Sequence, residues 1–200
     1  LINNITLTIT ADNGVSSTNT VTKQISIVDT IPSNVITYDG EDIELESYFD
    51  PNNLCWQVDK TKYPEELTKM VLPTKDSGIL EIPYEDADKI TAVEIGDWND
   101  EITKLNGYFL NNCEYLEEID LSFLSSITDV GRNFLWSCKY LETLDLWPLT
   151  SLTCIGDNFL EWCWSLEGLD CSMLTNVTSI GDEFLHGCNY IEELDLSGFS

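Results

Sequence analysis

Basic residues are scarce in this chain. Nine lysines and arginines face 36 aspartates and glutamates in 200 residues, a formal net charge of −27, and from residue 105 onward Arg132 and Lys139 are the only bases. Such a surface repels phosphate backbones and anionic headgroups, so nucleic acid and anionic lipid are not expected as partners. Histidine is nearly absent: His186 stands alone, and no second ligand lies at a chelating spacing from it or from a cysteine, so no metal centre is expected. No apolar run approaches the length that crosses a bilayer, so no membrane insertion is expected of this segment. A nucleophile elbow, a phosphate loop and a histidine paired with serine or cysteine at a recurring position are all missing, and the chain reads as non-enzymatic. Paired acids are plentiful, but each is accounted for by a repeat.

That repeat is what the chain has instead. Cys113, Cys138, Cys163 and Cys188 stand 25 residues apart, and their surroundings recur with them: NGYFLNNCEYLEEIDLSFLSSITDV (106–130), GRNFLWSCKYLETLDLWPLTSLTCI (131–155), GDNFLEWCWSLEGLDCSMLTNVTSI (156–180) and the shorter GDEFLHGCNYIEELDLSGFS (181–200). Phe134, Leu135, Cys138 and Leu141 have the i, i+1, i+4, i+7 spacing of one helical face, which predicts about two turns of helix from near Gly131. Leu141, Leu144 and Leu146 follow as L-x-x-L-x-L, a short strand whose last two leucines face one side. Leu149, Leu152 and Ile155 return the chain to the next glycine, which is expected to hold a φ that other residues avoid. The strand signature also fits Ile90, Val93, Ile95 and Leu67, Met70, Leu72, placing strand starts at 67, 90, 116, 141, 166 and 191. One unit cannot bury enough apolar surface to offset the entropy of ordering it, so units must stack and their ends need covers.

The run I-G-D-x-F-L-x-x-C-x-x-L-E-x-L-D-L resembles the BspA-type branch of the leucine-rich repeat superfamily. Phe159 and Cys163 precede the strand in that pattern, and Val177, Thr178, Ile180 and Gly181 close the unit. The resemblance implies an α/β fold, a right-handed leucine-rich-repeat solenoid of about six coils with parallel strands on a concave face and short helices on the convex one. Phe134, Phe159 and Phe184 and the four repeat cysteines are then structural. It also implies a secreted or surface-displayed protein that binds other proteins, in adhesion to a host or a neighbouring cell.

The front of the chain differs. Ile5, Leu7 and Ile9 alternate, Asn13-Gly14 marks a turn, and Val21, Ile25 and Ile27 resume, which predicts a hairpin. ITLTITADNGVSSTNTVTKQISI resembles the closing strands of bacterial immunoglobulin-like or polycystic-kidney-disease-type domains. The expected division is residues 1–29 as that partial domain, 30–66 as linker and N-terminal cap with Tyr38, Tyr48, Phe49, Cys55 and Trp56, and 67–200 as repeats. No cap follows Ser200, so the last coil is expected either to expose Leu194, Leu196 and Phe199 or to cover them by self-association.

The acids carry the functional signal. Between the two inward positions of each strand the outward residue is Glu94, Asp120, Asp145, Asp170 and Asp195 in five successive units. Parallel strands lie about 4.8 Å apart, so one file of carboxylates is expected on the concave face. Each neighbouring pair repels by about 0.9 kcal/mol in water and about 3–4 kcal/mol at an effective dielectric near 20. The file should therefore be hydrated, partly protonated or neutralised. A basic patch on a protein partner would do this; weak calcium binding is a second route; plain solvation with local hydrogen bonds from serine neighbours is the third. Glu118 and Trp147 flank the file and complete the candidate site. Trp136, Trp162 and Trp164 are expected on the convex side, packing against adjacent coils or stacking on sugar. The repeat cysteines and Cys171 read as buried small apolar residues, since equivalent positions in stacked units point alike and cannot pair. A structural spacer is the remaining alternative function.

Overall fold

The alternating segments at the front pair as predicted. Strand β1 (Asn3–Ala11) runs antiparallel to β2 (Asn19–Ile27), with Ile5 opposite Ile25 and Ile9 opposite Val21. The computed structural model describes the backbone of these two strands, together with residues 34–47, 51–58, 66–96 and 100–199. The expected Asn13-Gly14 turn, Tyr48 and Phe49 lie outside the described residues. Leu1–Pro32 and Ser33–Ser200 form two separate compact units.

The second unit opens with antiparallel pairs. Strands β3 (Asn34–Tyr38) and β4 (Glu41–Glu44) form a hairpin, and β5 (Gln57–Val58), β6 (Leu67–Pro73) and β7 (Ile79–Pro83) form a three-stranded sheet. The strand expected at Leu67 is thus present, and Met70 and Leu72 are fully buried. It does not join the parallel ladder, however, because its hydrogen bonds go to the adjacent hairpin arms. Strand β8 (Ile90–Ile95) makes the change of direction: it pairs antiparallel with β3 and parallel with Glu118–Ile119 of the next unit.

From there each unit repeats its contacts one step along. Gly168–Asp170 pairs in parallel with Glu193–Asp195. On the closing side Lys104–Leu105, Asp129–Val130, Cys154–Ile155 and Ser179–Ile180 form a second parallel ladder. Between the ladders lies a continuous core. Phe109, Phe134, Phe159 and Phe184 stack at centroid spacings of 5.0, 5.1 and 5.6 Å with near-parallel rings. Residues 51–58 lie against the first of these layers: Leu54 accepts the Leu110 N–H at 3.0 Å, as Phe109 accepts that of Leu135 and Phe134 that of Leu160. Leu54, Cys55 and Trp56 are buried there.

The expected short helices are not formed, and the α/β class is corrected accordingly: the described residues contain strands, turns and short 3-10 segments but no α-helix. In the Phe-Leu-x-x-Cys segment every second residue is left-handed. Asn133, Leu135 and Ser137 have φ of 60°, 52° and 61°, and Asn158, Leu160 and Trp162 repeat this at 60°, 54° and 62°. The N–H groups of these left-handed residues reach along the stack in alternating directions. Asn133 and Ser137 donate forward to the carbonyls of Asp157 and Glu161, whereas Leu135 donates back to Phe109. A helix would spend these donors within one unit; here they join three. The helical spacing of apolar residues arises because two successive turns also place i and i+4 on one side.

The repeat glycine is needed for a different reason than φ. A Cβ on Gly156 would lie 2.6 Å from the carbonyl carbon of Gly131, and one on Gly131 would fall 2.7 Å from that of Asn106. Stacked backbones touch at this column, and only glycine admits the approach. In the last unit Leu194 and Leu196 are exposed, whereas Phe199 is half-buried, its ring edge-on to Phe184 at 6.0 Å.

Candidate functional site

The strand face carries the file of acids. Leu144 and Leu146, and Leu169 and Cys171, point into the core, and the residue between them faces solvent. Asp170 lies directly beside Asp195, and the pairing of Ile119 with Val93 sets Asp120 beside Glu94. Glu94, Glu118, Asp120, Asp145, Asp170 and Asp195 are all exposed, and Trp147 is 58% exposed beside them.

Each aspartate also has a local task. One oxygen of Asp120, Asp145, Asp170 and Asp195 accepts the backbone N–H two residues on, from Ser122, Trp147, Ser172 and Ser197, each at 2.8 Å. This Asx turn stops the strand and starts the turn after it, a 3-10 segment at Ser122–Leu124 and Trp147–Leu149. The donor is backbone, not the serine side chain alone, and Trp147 serves as well as serine. Hydrogen bonds from the Ser197 hydroxyl and N–H hold Asp195 below its ordinary pKa, which favours the charged form over the protonation expected of a crowded file. The second oxygen of Asp120, Asp145 and Asp170 has no protein partner among the described residues.

The reverse side holds a polar chain that the sequence concealed. Glu161 is buried; one oxygen accepts from Trp136 Nε1 at 2.9 Å and from Asn158, and the other meets His186 Nδ1 at 3.0 Å. Glu183 approaches the same nitrogen at 3.1 Å. Burial raises the Glu161 pKa, but hydrogen bonds from His186, Asn158 and Trp136 outweigh it and hold the carboxyl low; the Glu161 bond in turn raises His186. Glu161, Glu183 and His186 are the one set of three potential metal-ligand atoms within 4.8 Å of one another among the described residues. Glu161 is a full repeat from His186 in sequence, so no chelating spacing announced the set. Trp136 and Trp162 are half-buried, the latter packed on His186 at 4.9 Å, while Trp164 stays exposed with Lys139 over its ring.

The cysteines are free thiols. Cys113, Cys138 and Cys163 are fully buried and Cys188 is half-buried. Sγ of Cys138, Cys163 and Cys188 donates to the carbonyl of Leu110, Leu135 and Leu160, 28 residues earlier in each case. Burial pushes the Cys113 and Cys138 thiols far up and that of Cys171 to about 11, whereas contact with Cys163 lowers Cys188.

A stack of parallel-paired units with a phenylalanine and cysteine column defines a repeat protein of the leucine-rich class. The family model for the BspA type leucine rich repeat region matches residues 61–198 in six copies, and the chain belongs to that family. The chain is also similar to a leucine-rich repeat protein from Bacteroides ovatus of known crystal structure, at 19% identity and a TM-score of 0.44. The match covers 84% of this chain and 41% of that one. No curated protein gives a significant match.

Proposed function

We propose that the chain is a non-enzymatic, surface-displayed binding module whose repeats run as one solenoid and whose acidic strand face takes a protein partner with a basic patch. The observation that carries this is the file of exposed aspartates, in which Asp120, Asp145 and Asp170 commit one oxygen to a turn and leave the other open to solvent. Asparagine caps such a turn equally well, yet every unit from Asp120 onward has the charged residue. A continuous row of negative charge attracts a basic surface and sets its register. No helix among the described residues is long and apolar enough to cross a membrane.

Asp145→Asn with Asp170→Asn keeps both turn acceptors and removes two charges. Capture of surface proteins by the wild-type chain, followed by titration of the captured protein, should show affinity that falls with salt and falls again in the double variant. Affinity indifferent to both changes would remove the strand face as the site, and absence of any bound protein would favour the spacer. A sugar-binding role for Trp136 and Trp162 is less well supported, because each is packed against or bonded to its neighbouring unit.

A further inference from the structure

One column of the repeat is broken in a way the fold does not require. Tyr115, Tyr140 and Tyr190 occupy equivalent places, and Ser165 stands where the series would have another tyrosine. The backbone stays in step through the gap: Tyr140 N–H donates to Glu114 at 3.1 Å and Ser165 N–H to Lys139 at 3.0 Å. Where two tyrosines are neighbours, their rings stack at 4.9 Å and 18°. Leaving out the ring at 165 therefore opens a slot between Tyr140 and Tyr190, two strand spacings or about 9.6 Å apart. Trp164 forms a further wall, and the cavity has a volume of about 510 Å³.

Glu142, Glu167 and Glu192 line the same cavity, held one step apart by the N–H of Glu167 on Glu142 and that of Glu192 on Glu167. None of the three pairs with a cation among the described residues. The one base in the lining, Lys139, is bound to Glu114 at 2.8 Å and lies 5.2 Å from the Trp164 ring centre. The chain thus already rests a cation on an aromatic face at this place, and does so again where Arg132 lies 4.8 Å over Tyr108.

We infer that the Ser165 slot receives an arginine side chain of a partner protein, its guanidinium between Tyr140 and Tyr190 and its fork on Glu167. A guanidinium is flat enough to enter between two rings and offers paired donors to a carboxylate; an ammonium is not flat and offers no fork. A neutral sugar ring would stack on the aromatic faces and donate hydroxyls to the carboxylates, but it would leave their three charges unneutralised. The inference rests on the reading of a basic protein partner, but it uses different residues from the strand face.

The test is calorimetric titration of the whole chain with octa-arginine and octa-lysine peptides at physiological salt. Ser165→Tyr fills the slot with the ring the column otherwise carries, and a thermal melt should show a fold at least as stable as wild type. Octa-arginine should bind roughly tenfold more tightly than octa-lysine, and Ser165→Tyr should erase that preference while leaving octa-lysine unchanged. Equal affinities for the two peptides, or a preference that survives Ser165→Tyr, would overturn the inference. So would binding of a neutral oligosaccharide that Ser165→Tyr abolishes, which would assign the slot to sugar. An octa-arginine affinity lowered by Ser165→Tyr but untouched by Asp145→Asn with Asp170→Asn keeps the slot and removes the strand face; the opposite pattern removes the slot.

Discussion

At the scale of single residues, charge and structure can be separated at the aspartates because two functions sit on two oxygens. Asp145→Ala deletes the acceptor for the Trp147 N–H and should cost about 0.5–1.5 kcal/mol in chemical denaturation. Asp145→Asn keeps the acceptor and, at salt high enough to screen the file's repulsion, should cost less than half of that. Equal losses would mean that the turn bond does not explain the residue. The thiols are a second case. Native protein treated with an excess of a thiol reagent should label Cys188 first, since it is half-buried and its pKa is lowered, and Cys113, Cys138 and Cys163 only after denaturant is added. Mass mapping of the labelled peptides reads this directly, and early labelling of Cys138 would contradict its place in the core.

At the scale of elements, the units are joined through backbone that looks unfavourable in isolation. A left-handed leucine costs about 1–2 kcal/mol, and Leu135, Leu160 and Leu185 all accept it. Burial of the leucine side chains and a hydrogen bond to the preceding unit offset the strain. The glycine column is the complement, and Gly156→Ala, which drives a methyl into the Gly131 backbone, should cost about 1–3 kcal/mol by overpacking. These features mark the limit of what was legible in the sequence. The interval of the cysteines and the L-x-x-L-x-L leucines revealed the stack and the outward file of aspartates, because strand alternation has one meaning when both flanking residues are apolar, whereas the stacking of the phenylalanine rings was not announced. The Phe-Leu-x-x-Cys segment misled, since helical spacing and paired turns bury the same positions while differing only in the sign of φ. The Leu67 strand misled because its partner depends on chain direction, which side-chain pattern does not record. The Glu161–His186 bond was invisible at 25 residues' separation, and it makes the join between the last two units sensitive to pH. Glu161 has a lowered pKa and His186 a raised one. Their contribution should be full between the ordinary values of 4.5 and 6.5. It should fade as pH falls through the lowered Glu161 value and as it rises through the raised His186 value. His186→Asn should flatten the alkaline limb of a melting-temperature profile, and an unchanged limb would mean that the pair contributes nothing.

At the scale of the whole molecule, a net charge of −27 acts on folding and on binding with opposite signs. Stacking brings the strand-face acids to about 4.8 Å, so the folded chain carries more mutual repulsion than the unfolded one. Added salt shortens the range of that repulsion to about 10 Å at 0.1 M and less above it. Sodium chloride should therefore raise the denaturation midpoint, while the same salt weakens attraction to a basic partner. Asp145→Asn with Asp170→Asn should be more stable than wild type at low salt and should respond less to added salt, because the turn bonds survive and only charge is lost. Denaturation midpoints for both proteins across a salt series decide the matter. A wild-type midpoint that falls with salt would show that attractive pairs such as Lys139–Glu114 and Lys104–Asp129 outweigh the file. A midpoint that rises equally in both proteins would show that the repulsion resides in acids outside the strand face.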